Sequence, residues 1–187
     1  MAERGGLKVR FVGPGERDRD LFTDVALWIQ PGGKSVTVAR KLNPWLKDQL
    51  KNFIASGGGY VGFCAGGFLA TDRVGDTEAD GLGILPGQSL LYEEVNDSPV
   101  VIPLRWNGQT RQVYWEGGPY FKFAKGDRVE VTARYPDGTP VSARAHYGLG
   151  RVYVTGAHPE APQDWRVNPT LPDADGLDYG LVEKMIE

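Results

Sequence analysis

One cysteine stands between glycines at the end of an apolar segment, a pattern typical of reactive nucleophiles. Residues 60–63 lead into Cys64, with Gly62 and Gly66 two positions away on either side. In α/β enzymes this spacing marks a sharp turn between a strand and a helix. The nucleophile there has a strained backbone, and its neighbours leave no room for a Cβ. Because the N-terminus of the following helix favours negative charge, we expect Cys64 to be a reactive thiolate. The alternative is a small buried apolar residue, the usual role of a free cysteine.

A histidine and a glutamate near the end of the chain supply the groups that such a thiol needs. A strand is predicted over residues 151–155, and His158 and Glu160 follow it. A histidine that takes a proton from a thiol requires an acceptor that fixes its tautomer and orientation, and Glu160 supplies one if the loop folds back. His-x-Glu alone is more typical of a structural histidine. Together with the Cys64 pattern it predicts a catalytic role, whereas we interpret His146, inside a strand-like segment, as structural.

A second glycine-containing loop is a candidate oxyanion site. Residues 25–29 are almost continuously apolar, as expected for a central parallel strand, and Pro31, Gly32 and Gly33 follow its carboxyl end. Ligands of open α/β sheets bind at that end. The two glycines allow backbone N–H groups to face a substrate, although a plain turn is the alternative interpretation.

A turn rich in aromatic residues and glycine gives candidates for a pocket wall. It contains Trp115, Gly117, Gly118 and Tyr120. Trp165 is a further aromatic candidate near the histidine. The alternative role of aromatic residues at a turn is packing.

The segments that must position these groups can be read from hydrophobic periodicity. Residues 7–12 alternate between apolar and charged side chains, which predicts a strand, and residues 16–22 are compatible with a short helix. Asn43 followed by proline is typical of a helix start. The apolar face of that helix comprises Leu46, Leu50, Phe53 and Ile54. Residues 25–70 therefore predict a right-handed β–α–β unit in a parallel sheet.

The second half of the chain has a different pattern. Alternating segments separated by turns, including Asn107-Gly108 and Asp137-Gly138, predict a mainly antiparallel region over residues 82–150. The tail over residues 163–176 is rich in proline and aspartate and predicts a loop. Apolar residues over 177–186 predict a closing helix.

Composition narrows the classes of function. A chain of 187 residues with 41% hydrophobic residues suits one domain, here residues 1–187. The net charge of -3 argues against nucleic acid as a partner. There is no run of 18 apolar residues and no apolar signal core at the N-terminus, so neither a membrane span nor export is expected. One cysteine excludes an internal disulfide and suits the cytoplasm. No metal-ligand cluster stands out, and no cofactor is predicted.

Four motifs in one order resemble a known superfamily. They are Gly-Gly-Gly-Tyr-x-Gly-x-Cys-Ala-Gly at 57–66, Pro-Gly-Gly at 31–33, Gly-Gly-Pro at 117–119 and His-Pro-Glu at 158–160. Together they resemble the class I glutamine amidotransferase-like superfamily, and most closely the group related to the N-terminal domain of biotin–protein ligases. The resemblance covers roughly residues 7–186.

The resemblance implies an α/β fold: a flavodoxin-like three-layer sandwich with a mostly parallel central sheet and additional antiparallel strands and hairpins. It also implies a triad in which Cys64 is the nucleophile, His158 the base and Glu160 the group that orients the base. The oxyanion hole implied by the family consists of backbone N–H groups, those of Ala65 and of Gly32 or Gly33.

Two features depart from the family pattern. In the glutaminases of this superfamily a glutamine four residues after the cysteine helps to hold the substrate, but this chain has Phe68 there. Glutamine hydrolysis is therefore in question, and Phe68 joins the pocket candidates. The usual first strand and helix are missing, so that edge is either absent or covered by a partner. The ligase catalytic domain is absent as well, and ligase activity is not implied.

Three functions fit these observations. The first is a thiol-dependent hydrolase or amidotransferase-like enzyme acting on an amide or acyl substrate. The second is a non-catalytic module on the same scaffold that binds a small ligand, a protein partner or a second copy. The third, a thiol sensor of oxidants, lacks a second cysteine to resolve a sulfenic acid. The complete Cys64, His158 and Glu160 set favours the enzyme, and Phe68 favours the binding module.

Overall fold

A seven-stranded mixed sheet forms the centre of the molecule. The computed structural model describes Glu3 and residues 6–95, 98–166 and 172–186. The strands are β1 (Leu27–Gln30), β2 (Gly59–Phe63), β3 (Gln88–Leu91), β4 (Val100–Trp106), β5 (Gln109–Trp115), β6 (Pro119–Lys122), β7 (Val129–Arg134), β8 (Pro140–Tyr147) and β9 (Gly150–Thr155). The helices are α1 (Ser35–Lys41), α2 (Pro44–Ala55), α3 (Ala65–Ala70) and α4 (Tyr179–Ile186), with a 3₁₀ helix over Gln163–Arg166.

The sheet is parallel in one part and antiparallel in the other. Its strand order is β1-β2-β9-β8-β7-β4-β5, and β3 pairs with β6 in a separate two-stranded sheet. β1, β2 and β9 run parallel, whereas β4, β5, β7 and β8 pair antiparallel, with β8 joining β9. The predicted α/β fold and the predicted antiparallel region are confirmed. Asn107 and Gly108, with φ of +47° and +84°, form the predicted hairpin turn between β4 and β5.

The strand predicted over residues 7–12 is wrong, because this segment has no regular secondary structure. β1 is an edge strand of the sheet, and residues 7–12 do not pair with it. Arg10 instead bonds to Asp18 at 3.0 Å, and Phe11 is 96% exposed. Residues 19–24 form turns in place of the suggested short helix. Alternation of apolar and charged residues yields a strand only where a neighbouring strand satisfies the backbone.

Two hydrophobic clusters separate on the two faces of the sheet. Neighbouring residues of β2 divide between them: Tyr60 belongs to the first cluster and Val61 to the second. Side chains of α1, α2 and α3 fill the first cluster, and Leu181, Val182 and Met185 of α4 fill part of the second. This period-two division gives the predicted three layers and places helices on both faces.

The helices follow their sequence signals. Asn43 caps α2, its Oδ1 accepting from the Leu46 N–H at 2.9 Å, and Leu46, Leu50 and Ile54 are fully buried. The closing helix α4 begins at Tyr179, close to its prediction. Residues 167–171 of the predicted tail loop lie outside the described residues. Within the described part of the chain, every helix is too short or too polar to cross a bilayer.

Replacing Asn43 with alanine will lower the free energy of unfolding by about 1–2 kcal/mol, because an N-cap is lost. The side chain also donates to the carbonyl oxygens of Pro14 and Glu16, both at 3.0 Å, so its loss frees the preceding loop. Urea unfolding followed by circular dichroism measures the change. The matched control is Asn52→Ala, at an exposed position within α2, which should not destabilise. Equal effects of the two substitutions would contradict the capping role.

Candidate active site

Three loops meet at the carboxyl ends of the parallel strands. Gln30 of β1 pairs with Gly62 of β2, and Phe63 of β2 pairs with Thr155 of β9. Cys64 directly follows Phe63, and the loops with Gly32 and His158 follow the neighbouring strands. The register therefore brings the three predicted loops to one edge of the sheet.

Cys64 occupies a strained turn between β2 and α3. Its φ and ψ are +45° and −100°, a conformation that non-glycine residues rarely adopt. A Cβ at Gly62 would lie 2.6 Å from the carbonyl group of Gly66, and a Cβ at Gly66 would collide with the carbonyl oxygen of Gln30. The backbone N–H of Cys64 donates to Thr155 at 2.9 Å. The glycine spacing noted in the sequence is thus required by close backbone packing.

His158 is buried and bound on both sides. It is 4% exposed, its backbone N–H donates to the Tyr114 carbonyl at 2.8 Å, and its Nδ1 lies 2.8 Å from Oε1 of Glu160. Burial lowers the pKa of His158, but side-chain hydrogen bonds to Cys64 and Glu160 and the charge of Glu160 raise it to about 10. Since Nδ1 faces Glu160, Nε2 is the ring nitrogen available to the sulfur. His158 is therefore protonated near neutral pH in this arrangement.

The Pro31–Gly33 loop lies against the imidazole. A Cβ on Gly32 would lie 2.5 Å from Cε1 of His158, so this position has no space for a side chain. Gly33 has a φ of +137° and open space around it. Ala65 is the first residue of α3, and its N–H belongs to the helix end whose amides have no partner within the helix. The Pro31–Gly33 loop thus lies near His158, and the amide of Ala65 directly follows Cys64.

Two aromatic rings flank His158. Tyr114 and Trp165 have ring centroids 5.9 and 5.5 Å from the imidazole, and the two rings lie 5.6 Å from each other. Trp165, a predicted pocket residue, is 46% exposed. Tyr114 is not among the pocket residues predicted from the sequence, whereas its neighbour Trp115 is. Because neighbouring residues of a strand face opposite sides, only one of the pair could reach His158.

Glu116 was also missed. The Cys64 thiol donates to the backbone oxygen of Glu116, with Sγ 3.6 Å from that oxygen, and the Tyr114 hydroxyl donates to Oε2 of Glu116 at 3.0 Å. Burial, together with this carboxylate, raises the pKa of Tyr114 to about 12, so the phenol remains a donor. Glu116 itself is exposed. The sequence feature that could have identified Glu116 is its position between Trp115 and Gly117, in the turn that was predicted to line the pocket.

Two predicted pocket residues lie in the cores. Phe68 is 6% exposed and packs in the first cluster. Trp115 is fully buried in the second cluster, where its Nε1 donates to the Tyr135 hydroxyl at 2.9 Å. Their rings therefore lie behind the site and do not form an open wall.

The remaining predicted residues of the aromatic and glycine turn, Gly117, Gly118 and Tyr120, affect the path and packing of the chain. Gly117 has a φ of +56°, and a Cβ at Gly118 would collide with the carbonyl oxygen of Gly156. Tyr120 packs edge-on against Tyr92 with centroids 6.4 Å apart. The two glycines thus let the turn approach the loop that carries His158.

A buried ionic network anchors the segment that carries Trp165. Arg166 pairs with Asp173 and Asp178, and Arg111 of β5 bonds to Asp178 at 2.8 Å and to Asp175 at 2.8 Å. Burial raises the pKa of Asp178, against the two guanidinium groups that lower it. The 3₁₀ helix is thereby fixed to β5, next to Tyr114.

A separate cavity lies at the opposite end of the parallel strands. It has a volume of about 620 Å³, and Gly59, Arg151 and Lys184 are among its lining residues. His146 lines this cavity and is exposed. No group of three or more potential metal ligands occurs among the described residues. Cys64, His158 and Glu160 therefore lie at the other end of the parallel strands from this cavity.

The fold is that of a glutamine amidotransferase-like protein, and comparison with known proteins gives the same class. A solved structure described as a glutamine amidotransferase superposes with a TM-score of 0.70 at 25% identity, covering 90% of this chain and 87% of that one. A pyridoxal 5'-phosphate synthase subunit PdxT from Corynebacterium jeikeium is 31% identical over 146 residues, 75% of this chain and 72% of its own. The chain therefore belongs to the class I glutamine amidotransferase-like superfamily.

Within the superfamily, residues 21–83 match the family described as biotin-protein ligase, N terminal. A biotin–protein ligase from Schizosaccharomyces pombe is 25% identical over 186 residues and 81% of this chain. The chain spans 28% of the length of that ligase. The PdxT subunit and the biotin–protein ligase together confirm the resemblance to the amidotransferase-like superfamily and its biotin–protein ligase group.

Replacing Glu160 with glutamine will lower the pKa of His158 from about 10, because the carboxylate that stabilises the imidazolium is removed. A pH titration of the ring ¹⁵N signals measures the change. Glu183→Gln, on the exposed side of α4, is the matched control and should leave the His158 titration unchanged. An identical His158 titration in Glu160→Gln and the unsubstituted protein would contradict the pairing.

Proposed function

We propose that the chain is a cysteine-dependent hydrolase or amidotransferase-like enzyme acting on an amide or related acyl substrate. Cys64 is the nucleophile, His158 moves the proton, and Glu160 orients His158. The observation that carries the proposal is that one buried imidazole interacts with both the sulfur and the carboxylate. Binding alone does not require this three-membered geometry.

The charge on the imidazole determines how the reaction begins. With a pKa of about 10, His158 holds a proton at neutral pH, and a cation beside sulfur favours the thiolate. The thiolate attacks the acyl carbon, and negative charge develops on the carbonyl oxygen. Backbone N–H groups of Ala65 and of Gly32 or Gly33 stabilise that charge.

The second half of the reaction returns the enzyme to its starting state. The C–N bond breaks as Nε2 of His158 gives its proton to the leaving amine, which leaves a thioester on Cys64. The neutral imidazole then takes a proton from water, whose oxygen attacks the thioester carbon. The acid leaves, the sulfur again pairs with the imidazolium, and one amide and one water have become an acid and an amine.

A protein partner belongs to the proposal. The PdxT relatives are described as subunits of a synthase, including one from Thermosipho africanus that is 28% identical over 90% of this chain. We propose that this chain likewise acts on a small molecule in company with another protein or a second copy. An amidotransferase passes the released amine to an acceptor site, which such a partner would supply.

The second candidate is a module that binds a ligand without turnover. Phe68 in place of glutamine and the 5% exposure of Cys64 favour it. A binding module would need neither a protonated His158 nor a reactive sulfur. The reactivity of the sulfur therefore separates the two candidates.

Iodoacetamide will alkylate Cys64 at pH 7 faster than it alkylates the same thiol in the urea-unfolded chain. The reason is that the charged imidazole of His158 lies beside the sulfur, and such a charge activates a thiol as a nucleophile. His158→Ala should slow the native reaction. Cys64 is the only cysteine in the sequence, so mass spectrometry of the intact protein reports the rate directly.

The control for this experiment is His146→Ala, which removes the other histidine and should keep the native rate. Urea-unfolded protein gives the intrinsic rate of the thiol. A native rate no higher than that of the unfolded chain would overturn the enzymatic proposal and favour the binding module.

Incubation with glutamine will release no more ammonia than the Cys64→Ser variant does. Phe68 occupies the position of the substrate-binding glutamine and packs in the core, so that contact is missing. A coupled glutamate dehydrogenase assay measures the ammonia. Release that depends on Cys64 would show that the interpretation of Phe68 is wrong, while leaving the thiol mechanism in place.

A further inference from the structure

Glu116 places a negative charge at the mouth of the site. Its backbone oxygen lies 3.6 Å from Sγ of Cys64, and only two methylene groups separate its carboxylate from that backbone. The Tyr114 hydroxyl donates to the carboxylate at 3.0 Å and fixes its direction. The residue is exposed, so the second oxygen is open to a ligand.

The carboxylate of Glu116 takes part in none of the ion pairs found among the described residues. Its hydrogen-bond donor, Tyr114, is a neutral phenol. The nearby positive charge of His158 is already paired with Glu160 at 2.8 Å. A substrate that reaches Cys64 therefore meets an uncompensated carboxylate.

An aromatic surface adjoins the carboxylate. Tyr114 contacts Trp165 with centroids 5.6 Å apart, and 46% of Trp165 remains exposed. Arg166, the next residue, is bound in the buried ionic network, so Trp165 is held in place. A carboxylate beside an exposed indole is a combination that binds ammonium and guanidinium groups, through charge and cation–π attraction.

From this arrangement we infer that the substrate carries a positive charge close to its reactive acyl group, and that Glu116 is the residue that selects it. The inference rests on the proposed thiol chemistry and adds the substrate class: a cationic amide or acyl compound, such as one with a free amino group. Tyr114 is a positioning residue, since it acts on the substrate through Glu116.

Charged thiol reagents test the inference without knowledge of the natural substrate. Aminoethyl, sulfonatoethyl and methyl methanethiosulfonates are respectively cationic, anionic and neutral. In each case the sulfur of Cys64 forms a disulfide with the thioalkyl group and methanesulfinate leaves. The neutral reagent normalises for access, and the measured quantity is the ratio of the cationic to the anionic rate at low salt.

The ratio should fall about tenfold in Glu116→Gln, as expected for one nearby charge removed at a partly solvated site. The ratio should fall further in Glu116→Lys. Adding 1 M salt to the unsubstituted protein should lower its ratio toward the Glu116→Gln value, because salt screens the charge. Glu183→Gln, which removes an equal charge on α4, should keep the original ratio. Circular dichroism verifies that each variant is folded.

The outcomes separate this inference from the proposed function. Equal ratios in the unsubstituted protein, Glu116→Gln and Glu116→Lys would overturn the role of Glu116, even if rapid alkylation supports an activated thiol. Alkylation no faster than in the unfolded chain would overturn the proposed function and with it the assignment of a substrate. A fall in the ratio that is confined to the Glu116 variants supports the inference.

Discussion

The site depends on the close approach of backbone segments around Cys64. Gly62, Gly66 and the carbonyl of Gln30 lie so near one another that a Cβ at either glycine would collide. This packing forces Cys64 to a φ of +45° and directs the chain from β2 into α3. Strain of this kind costs on the order of 1–3 kcal/mol and persists only where surrounding structure fixes it. Here the fixing is done by three parallel strands, so the sheet and the reactive turn cannot be separated.

The same edge of the sheet must also support a buried charge. His158 is 4% exposed, and its proton is retained only through the sulfur and Glu160. Its pKa is raised from 6.5 to about 10, so the bound proton stabilises the fold. That contribution is complete below about pH 6.5 and is lost as the pH rises through about 10. The protonated His158 therefore contributes to the stability of its loop.

The sequence predicted the features that depend on local pattern. The helix capped at Asn43, the hairpin at Asn107, the β–α–β order and the positions of Cys64 and His158 all follow from spacing. Long-range pairing was harder to predict: residues 7–12 alternate like a strand but lack a partner, and the short helix α1 has no strong periodic signal. The residues that line the site were also predicted only in part. Tyr114 faces His158 and Trp115 does not, and this depends on how β5 is placed in the fold and not on its composition.

Two kinds of feature can be separated in this site: those set by the backbone of the fold and those set by single side chains. The strained cysteine, its histidine and the glycine loops are properties of backbone geometry, so they follow from the fold. Phe68 and Glu116 are side-chain choices that leave that geometry intact, one inside the core and one at the mouth. Fold alone does not determine function, which depends on the side chains placed on the fold. A carboxylate held by Tyr114 near Cys64 repels anions and attracts cations, so the inferred preference for a cationic substrate needs one side chain and no change of the backbone.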